Sequence, residues 1–235
     1  MTAVVSDAGR ALVGLPTFDL PPELEASVPP EARGITRDAV RMMVAYRGSG
    51  ELVHTTFGEL PGLLAEGDLV VVNTSGTLAA EVSGSDRRGH PVDVHLSNQL
   101  PAGLWTVELR RGGAAALAET AGEVVALDGD GRVTLLAPYA PHGSGVRLWV
   151  ARLETPAPLL TYLAVHGRPI RYGYVRGSWP ITAYQNVYVT EPGSAEMPSA
   201  GRPFTPEVIT RLVARGVGVT PIVLHTGVAS LEASE

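Results

Sequence analysis

Two stretches of the chain carry residue types that could do chemistry. The first, "EPGSAEMPSAGRPFTPEV" over residues 191–208, sets small polar residues and one arginine directly ahead of a helix start. Thr205 suits an N-cap and Pro206 the first helical position, while Val208, Ile209, Leu212 and Val213 form one apolar face ending near Gly216. Such a helix turns its free N–H groups and positive dipole end toward "PSAG". The loop is therefore a candidate cradle for phosphate or carboxylate, with Arg202 as a further anchor. An ordinary capped loop satisfies the same pattern. The second stretch is "PIVLH", where His225 closes an apolar run ahead of Thr226 and Gly227. Open α/β sheets place site residues at such strand ends, and a histidine bonded to a loop carbonyl is the plain alternative.

The remaining titratable motifs carry less. His90 and His95 fall on opposite faces of an extended "HPVDVH", so they do not share a metal and read as two solvated strand histidines. His166, just before Gly167, suits a helix C-terminus, where it interacts with the dipole. "DGDGR" at 128–132 opens like a calcium loop, but Tyr139 stands where the bidentate glutamate belongs, so it reads as a hairpin turn.

Composition narrows the chemistry further. The 235-residue chain has no cysteine and no lysine, all 18 basic residues being arginine. Thiol nucleophiles, cysteine-ligated zinc, Schiff bases and Walker-type phosphate loops are excluded, and no metal is expected. A formal charge of −6 argues against a surface that coats nucleic acid as a whole. A local patch from Arg33, Arg37, Arg41, Arg168, Arg171 and Arg176 could still position phosphates, although scattered solvated arginines have the same composition. The apolar fraction of 45% fits a globular chain of one or two domains. No apolar run nears the roughly 18 residues of a membrane span, so no membrane partner is expected. The start has no basic leader with an apolar stretch, so a cytoplasmic location is expected.

Three groups of elements must position these residues. "RMMVAY" and "ELVHTT", around Gly48-Ser49-Gly50, read as a hairpin. "TFGELPGLLAEG" offers a helix capped by Thr56 with Leu60, Leu63 and Leu64 on one face, and "DLVVVN" a buried strand. From about Leu78 to Val150 six short strand-like runs follow: "LAAEV", "VDVHL", "LWTVEL", "EVVAL", "RVTLL" and "VRLWV". They suggest a small closed β-unit. The helical period returns in "APLLTYLAVHG", ending at Gly167. An all-β block flanked by α/β segments is most simply an insertion, with residues 1–72 and 155–235 forming the outer domain and 73–154 the inserted barrel.

Combined in order and spacing, these segments resemble a known family. "FDLPPEL", "RMMVAYRGSGELVHTTFGELPGLLAEGDLVVVN", "YLAVHG", "YQNVYVTEPGSAEMPSAGRPFTPEVITRL" and "LHTGV" are similar to the S-adenosylmethionine:tRNA ribosyltransferase-isomerases of queuosine biosynthesis, from about Phe18 to Leu231. The resemblance implies a barrel-like α/β domain interrupted by a small six-stranded β-barrel. It implies a cytoplasmic enzyme that moves the ribosyl part of S-adenosylmethionine onto 7-aminomethyl-7-deazaguanine at the tRNA wobble position and rearranges it to an epoxycyclopentane, releasing adenine and methionine. S-adenosylmethionine is then a substrate, and the tRNA anticodon region the partner. Such chemistry needs a general base, an acid for departing adenine and groups that hold the methionine, with no protein nucleophile.

Position by position, the resemblance implies a site from Gln185, Ser194, Pro198, Ser199, Ala200, Gly201, Phe204 and Thr205, with His225 as acid or base and Gly227 beside it. Arg202 joins them as the anion anchor. Tyr172, Tyr174, Trp179 and Tyr184 are candidate surfaces for an unpaired base, or core residues. The chain departs from the family pattern at three places. Asn73-Thr74-Ser75-Gly76 stands where the family reads Asn-Asp-Thr-Arg, and Gly201-Arg202-Pro203-Phe204-Thr205 where it reads Gly-Leu-His-Phe-Thr. The family also continues beyond the position of Glu235 through the C-terminal part of its α/β domain. A non-catalytic binding module that keeps the anion loop, and a related transferase acting on a small molecule, are the competing readings. An exposed sheet edge would favour association between copies.

Overall fold

A computed structural model describes residues 21–139, 146–171 and 173–228. The hairpin is formed by β1 (Arg41–Ala45) and β2 (Leu52–Thr56), paired from Arg41↔Thr56 to Ala45↔Leu52. The helix expected to begin at Thr56 is shorter than its pattern: a 3-10 turn at Phe57–Glu59 leads into α1 (Leu60–Leu63). The Thr56 side chain caps nothing, and Leu63 points outward. Two prolyl-glycyl residues, Pro61 and Gly62, in a four-residue helix leave no length over which a stripe could form.

β3 (Leu69–Asn73) is the strand expected from "DLVVVN", but it is covered on one face only. Val72 is buried, whereas Leu69 and Val71 are 63% and 57% exposed. Its partner is the parallel strand β14 (Gly218–Ile222), and α3 (Pro206–Ala214) lies over the covered side through Val208 and Leu212, with Phe204 before it and Val217 after it in the same apolar cluster. β4 (Ser75–Thr77) continues the chain and pairs in parallel with β13 (Glu191–Ser194).

The inserted unit is a closed antiparallel barrel. Its strands are β5 (Glu81–Ser85), β6 (Pro91–Gln99), β7 (Leu104–Arg111), β9 (Val124–Leu127), β10 (Gly131–Pro138) and β11 (Leu148–Glu154), with a short β8 (Ala114–Ala115) flanking β7. The pairing runs β5-β6-β7-β11-β10-β9 and returns to β5, so the six strands form a ring with no free edge. Alternation explains the closure: Val92, Val94 and Leu96 on β6, Val107 and Leu109 on β7, Val133 and Leu135 on β10 all point inward and are buried. "DGDGR" is the β9–β10 turn, with Gly129 and Asp130 left-handed at φ 73° and 61°. α2 (Leu159–His166) seats on that turn: Tyr162 donates to the Asp128 carbonyl at 2.5 Å, and the His166 ring packs against Gly129. A two-residue β12 (Gly167–Arg168) then returns to β5. Among the described residues no helix is long and apolar enough to cross a membrane.

His95 corrects its expected place. It is 5% exposed, held on the outer face of the barrel in a row of opposite charges. Glu81, His95 and Glu108 are direct cross-strand neighbours on β5, β6 and β7, close enough to interact. His95 Nε2 lies 3.3 Å from Glu81, its Nδ1 lies 3.6 Å from Glu108, and Arg147 and Arg110 reach Glu108 at 3.0 and 2.9 Å. Arg168 joins Glu81 at 2.7 Å and Asp93 at 3.0 Å. His90, by contrast, is exposed in the β5–β6 turn beside Asp86.

Burial alone would push the His95 imidazole down, but the facing carboxylates of Glu108 and Glu81 hold it above its ordinary value of 6.5. Its contribution to stability is therefore complete below about pH 6.5 and fades as pH rises through the raised native value. Glu81 and Glu108 resist desolvation in the same cluster and stay below their ordinary 4.5, so theirs fades as pH falls through the lowered values. Melting curves of wild type and His95→Gln should accordingly converge as pH is raised from 6 to 9. A constant gap between them would contradict the charged histidine.

Candidate functional site

The parallel pairs β3–β14 and β4–β13 bring together residues separated by more than a hundred positions. Asn73, at the end of β3, clamps the segment after β14: its Nδ2 donates to the Leu224 carbonyl at 2.8 Å, and its Oδ1 accepts from the Leu224 N–H at 3.0 Å and the Ser75 N–H at 3.1 Å. This clamp fixes the position of His225 next in sequence. The imidazole is exposed, with Nδ1 at 2.7 Å from Ser75 Oγ. Ser75 Oγ lies 2.5 Å from Ser194 Oγ, which accepts the Thr226 N–H at 3.1 Å. Both serines are wholly buried. Gly193 lies flush against the ring, since a Cβ there would stand 2.3 Å from His225 Cε1.

Gly227 is needed for another close approach. A Cβ on it would meet Asn98 Oδ1 at 2.0 Å, and next to it Val228 donates to Ser97 Oγ at 2.7 Å and enters the barrel core. "LHTGV" thus ties the exposed histidine to the barrel within four residues.

The loop ahead of α3 is internally satisfied to a degree its sequence does not reveal. The N–H groups of Gly201, Arg202 and Phe204 donate to the carbonyls of Pro198, Ser199 and Gly201, forming a 3-10 turn over Ser199–Gly201. Thr205 caps α3 by accepting from the Val208 N–H at 3.2 Å. Three donors of the expected anion cradle are therefore spent, while Ser199 and Ala200 remain exposed. Arg202 is a second correction to that cradle. Its guanidinium is buried and takes the Glu31 carboxylate at 2.9 Å to each oxygen, with Nε on the Ala183 carbonyl at 2.7 Å. A protein carboxylate occupies the place assigned to a ligand's anion. Burial explains the choice, because a desolvated guanidinium requires a fixed counter-charge.

Phe204 and Gln185 are likewise engaged within the protein. Phe204 is 6% exposed, its ring edge-on to Phe57 at 4.9 Å and to Tyr188 at 5.7 Å. The Gln185 amide pairs with the Thr77 backbone, accepting from its N–H at 2.9 Å and donating to its carbonyl at 2.7 Å. Pro198 accepts from Asn186 Nδ2 at 3.3 Å, and Gly201 leaves no space for a side chain beside Asn186 and the Tyr188 hydroxyl. At Gly76 a Cβ would meet Val189 at 2.7 Å, so this backbone holds no arginine there.

A cavity of about 500 Å³ adjoins β4 and β13 through Thr77 and Pro192. Leu78, Leu160, Ile181, Pro192 and Trp179 line it, with Arg171 among its polar groups. Pro192 directly precedes Gly193, against which the His225 imidazole lies. Of the other candidate surfaces, Tyr174 is 47% exposed, and the Tyr184 hydroxyl is buried without a hydrogen-bond partner among the described residues. Tyr172 lies outside the described residues. Arg37 is engaged by Glu31 and the Gln185 carbonyl, Arg168 by Glu81 and Asp93, and Arg171 by the Gly177 carbonyl. Arg33, Arg41 and Arg176 are exposed.

Ser75 was not legible as a site residue. Its one signal was its place in "NTSG", where a hydroxyl stands at the family's threonine position. The family model described as "Queuosine biosynthesis protein" matches residues 16–235. The chain belongs to this queuosine biosynthesis family. Similar relatives include the S-adenosylmethionine:tRNA ribosyltransferase-isomerases of Thermotoga maritima, 31% identical over 218 residues, and of Anaeromyxobacter dehalogenans, 36% identical over 215. The matches cover 91% and 89% of this chain and 59% of each relative. The chain therefore spans about 59% of the length of these family members. A crystal structure of the Thermotoga maritima S-adenosylmethionine tRNA ribosyltransferase matches at 26% identity and a TM-score of 0.34, over 90% of this chain and 58% of that one.

Proposed function

We propose that this chain carries the substrate-facing part of a transferase-isomerase that takes the ribosyl group of S-adenosylmethionine to 7-aminomethyl-7-deazaguanine in tRNA, forming epoxyqueuosine. The observation that carries the reading is an exposed imidazole held on two buried hydroxyls, in a chain of this family that also holds an apolar cavity reaching Thr77 and Pro192 of the same two strands. The residues fit the donor substrate. A cavity of this size suits a small ligand, Leu160 and Trp179 offer apolar surface to a flat purine, and Arg171 offers charge to a methionine carboxylate. Ser199 and Ala200 are the loop residues left to approach the ligand, Gly193 and Gly227 hold His225 in place, and the remaining loop residues keep the strands in register. A cytoplasmic setting, and association between copies through the exposed face of β3 and β14, belong to the same reading.

The test is adenine release from S-adenosylmethionine on addition of tRNA bearing the 7-deazaguanine base. Release that requires the RNA supports the reading, and no release under any condition overturns it. A second reading, the same donor with a small-molecule acceptor, is supported by the neutralisation of Arg37, Arg168 and Arg202 by Glu31, Glu81 and Asp93. It is preferred if release proceeds without RNA and is insensitive to salt, because phosphate contacts weaken steeply as salt rises.

A further inference from the structure

The hydroxyls beneath His225 leave little freedom in where their protons go. Ser194 Oγ already accepts the Thr226 N–H, and among the described residues its own proton has one acceptor, Ser75 Oγ at 2.5 Å. Were the bond reversed, Ser194 would take two donors and its proton would lie buried with no acceptor, an arrangement native proteins avoid. Ser75, having accepted from Ser194, turns its proton to the remaining neighbour, His225 Nδ1 at 2.7 Å. Nδ1 then presents a lone pair, and in the neutral ring the proton sits on Nε2.

We propose that Ser75 and Ser194 are positioning residues: a relay running from the Thr226 amide through two buried hydroxyls holds neutral His225 as its Nε2–H tautomer. The exposed ring therefore meets a ligand as a hydrogen-bond donor, suited to an oxygen or ring-nitrogen acceptor on a nucleoside-derived compound. In this state Nε2 cannot accept a proton, so a group that deprotonates the substrate must be another residue. The position of His225 at the substrate rests on the function proposed above, whereas the tautomer does not.

The test uses the full chain labelled with 15N-histidine, observed by long-range 1H–15N correlation above the ordinary imidazole titration range. His225 is identified by the signal lost in His225→Gln. In wild type, its Nδ1 is expected at the shift of an unprotonated nitrogen and Nε2 at that of an N–H. In Ser75→Ala both should move toward the averaged values of exchanging tautomers, with the other histidines unchanged. A protonated Nδ1 in the wild-type spectrum overturns the relay without reference to any variant, as does a His225 pattern unaltered in Ser75→Ala. The expected spectra combined with no adenine release would remove the function proposed above and leave the relay standing.

Discussion

Glu108→Ala is expected to lower stability by about 3–5 kcal/mol, the cost of removing one partner from a buried ion cluster. The carboxylate is wholly inaccessible and serves Arg110 at 2.9 Å, Arg147 at 3.0 Å and His95 at 3.6 Å. Alanine deletes the carboxylate shared by His95, Arg110 and Arg147, in a region water reaches poorly. A loss of that size exceeds what most single substitutions cause and shifts the melting temperature by roughly 2–4 °C per kcal/mol for a chain of this length. Urea unfolding followed by the emission of Trp105 and Trp149, buried on β7 and β11, reads the barrel directly. Arg168→Ala is the control: its side chain is 51% exposed, so its pairs with Glu81 and Asp93 should account for less than about 1 kcal/mol. Equal losses in the two variants would show that burial of Glu108 is not what makes its cluster matter.

On the function proposed above, Gly193→Ala is expected to reduce adenine release about 100-fold or more while leaving the melting temperature nearly unchanged, since displacing a group that must meet the substrate by about 1 Å costs that much. The added Cβ would fall 2.3 Å from His225 Cε1 and 2.5 Å from Nδ1, so the imidazole must leave its place against β13. It can leave, because the ring is exposed and its one hydrogen bond among the described residues is to Ser75. Gly193 is not left-handed, so alanine fits the backbone and the effect is confined to the ring. Single-turnover adenine release beside a thermal melt separates the two outcomes. Unimpaired release would place the chemistry away from His225, and a large fall in melting temperature would make Gly193 a packing residue.

The barrel was legible because its signal is local. Val92, Val94 and Leu96, or Val133 and Leu135, alternate within a single strand, and each hairpin carries its own turn residues, so each strand announces its inner face without reference to the others. Thr205 and Pro206 likewise mark the start of α3, because capping is settled within four residues. His95 failed on the same ground. Alternation places it opposite the core and hence in water, but its burial depends on Glu81 and Glu108, fourteen positions before and thirteen after it in the chain, arriving on either side. β3 failed in the opposite direction, since an apolar run says that a strand prefers to be covered and not whether both faces are.

The candidate site divides in the same way. The sequence by itself determined that an imidazole follows an apolar strand, that a glycine stands two positions after it, and that these 235 residues supply no thiol or lysine nucleophile. Only the tertiary structure decided which groups these residues meet. Arg202 turned from ligand anchor to partner of Glu31 across 171 positions, Gln185 became a clip on Thr77 across 108, and Ser75 gained a role by meeting His225 across 150. A side chain's donors and acceptors bind whatever the fold sets within about 3 Å, and which groups those are is a property of long-range packing that no local pattern encodes.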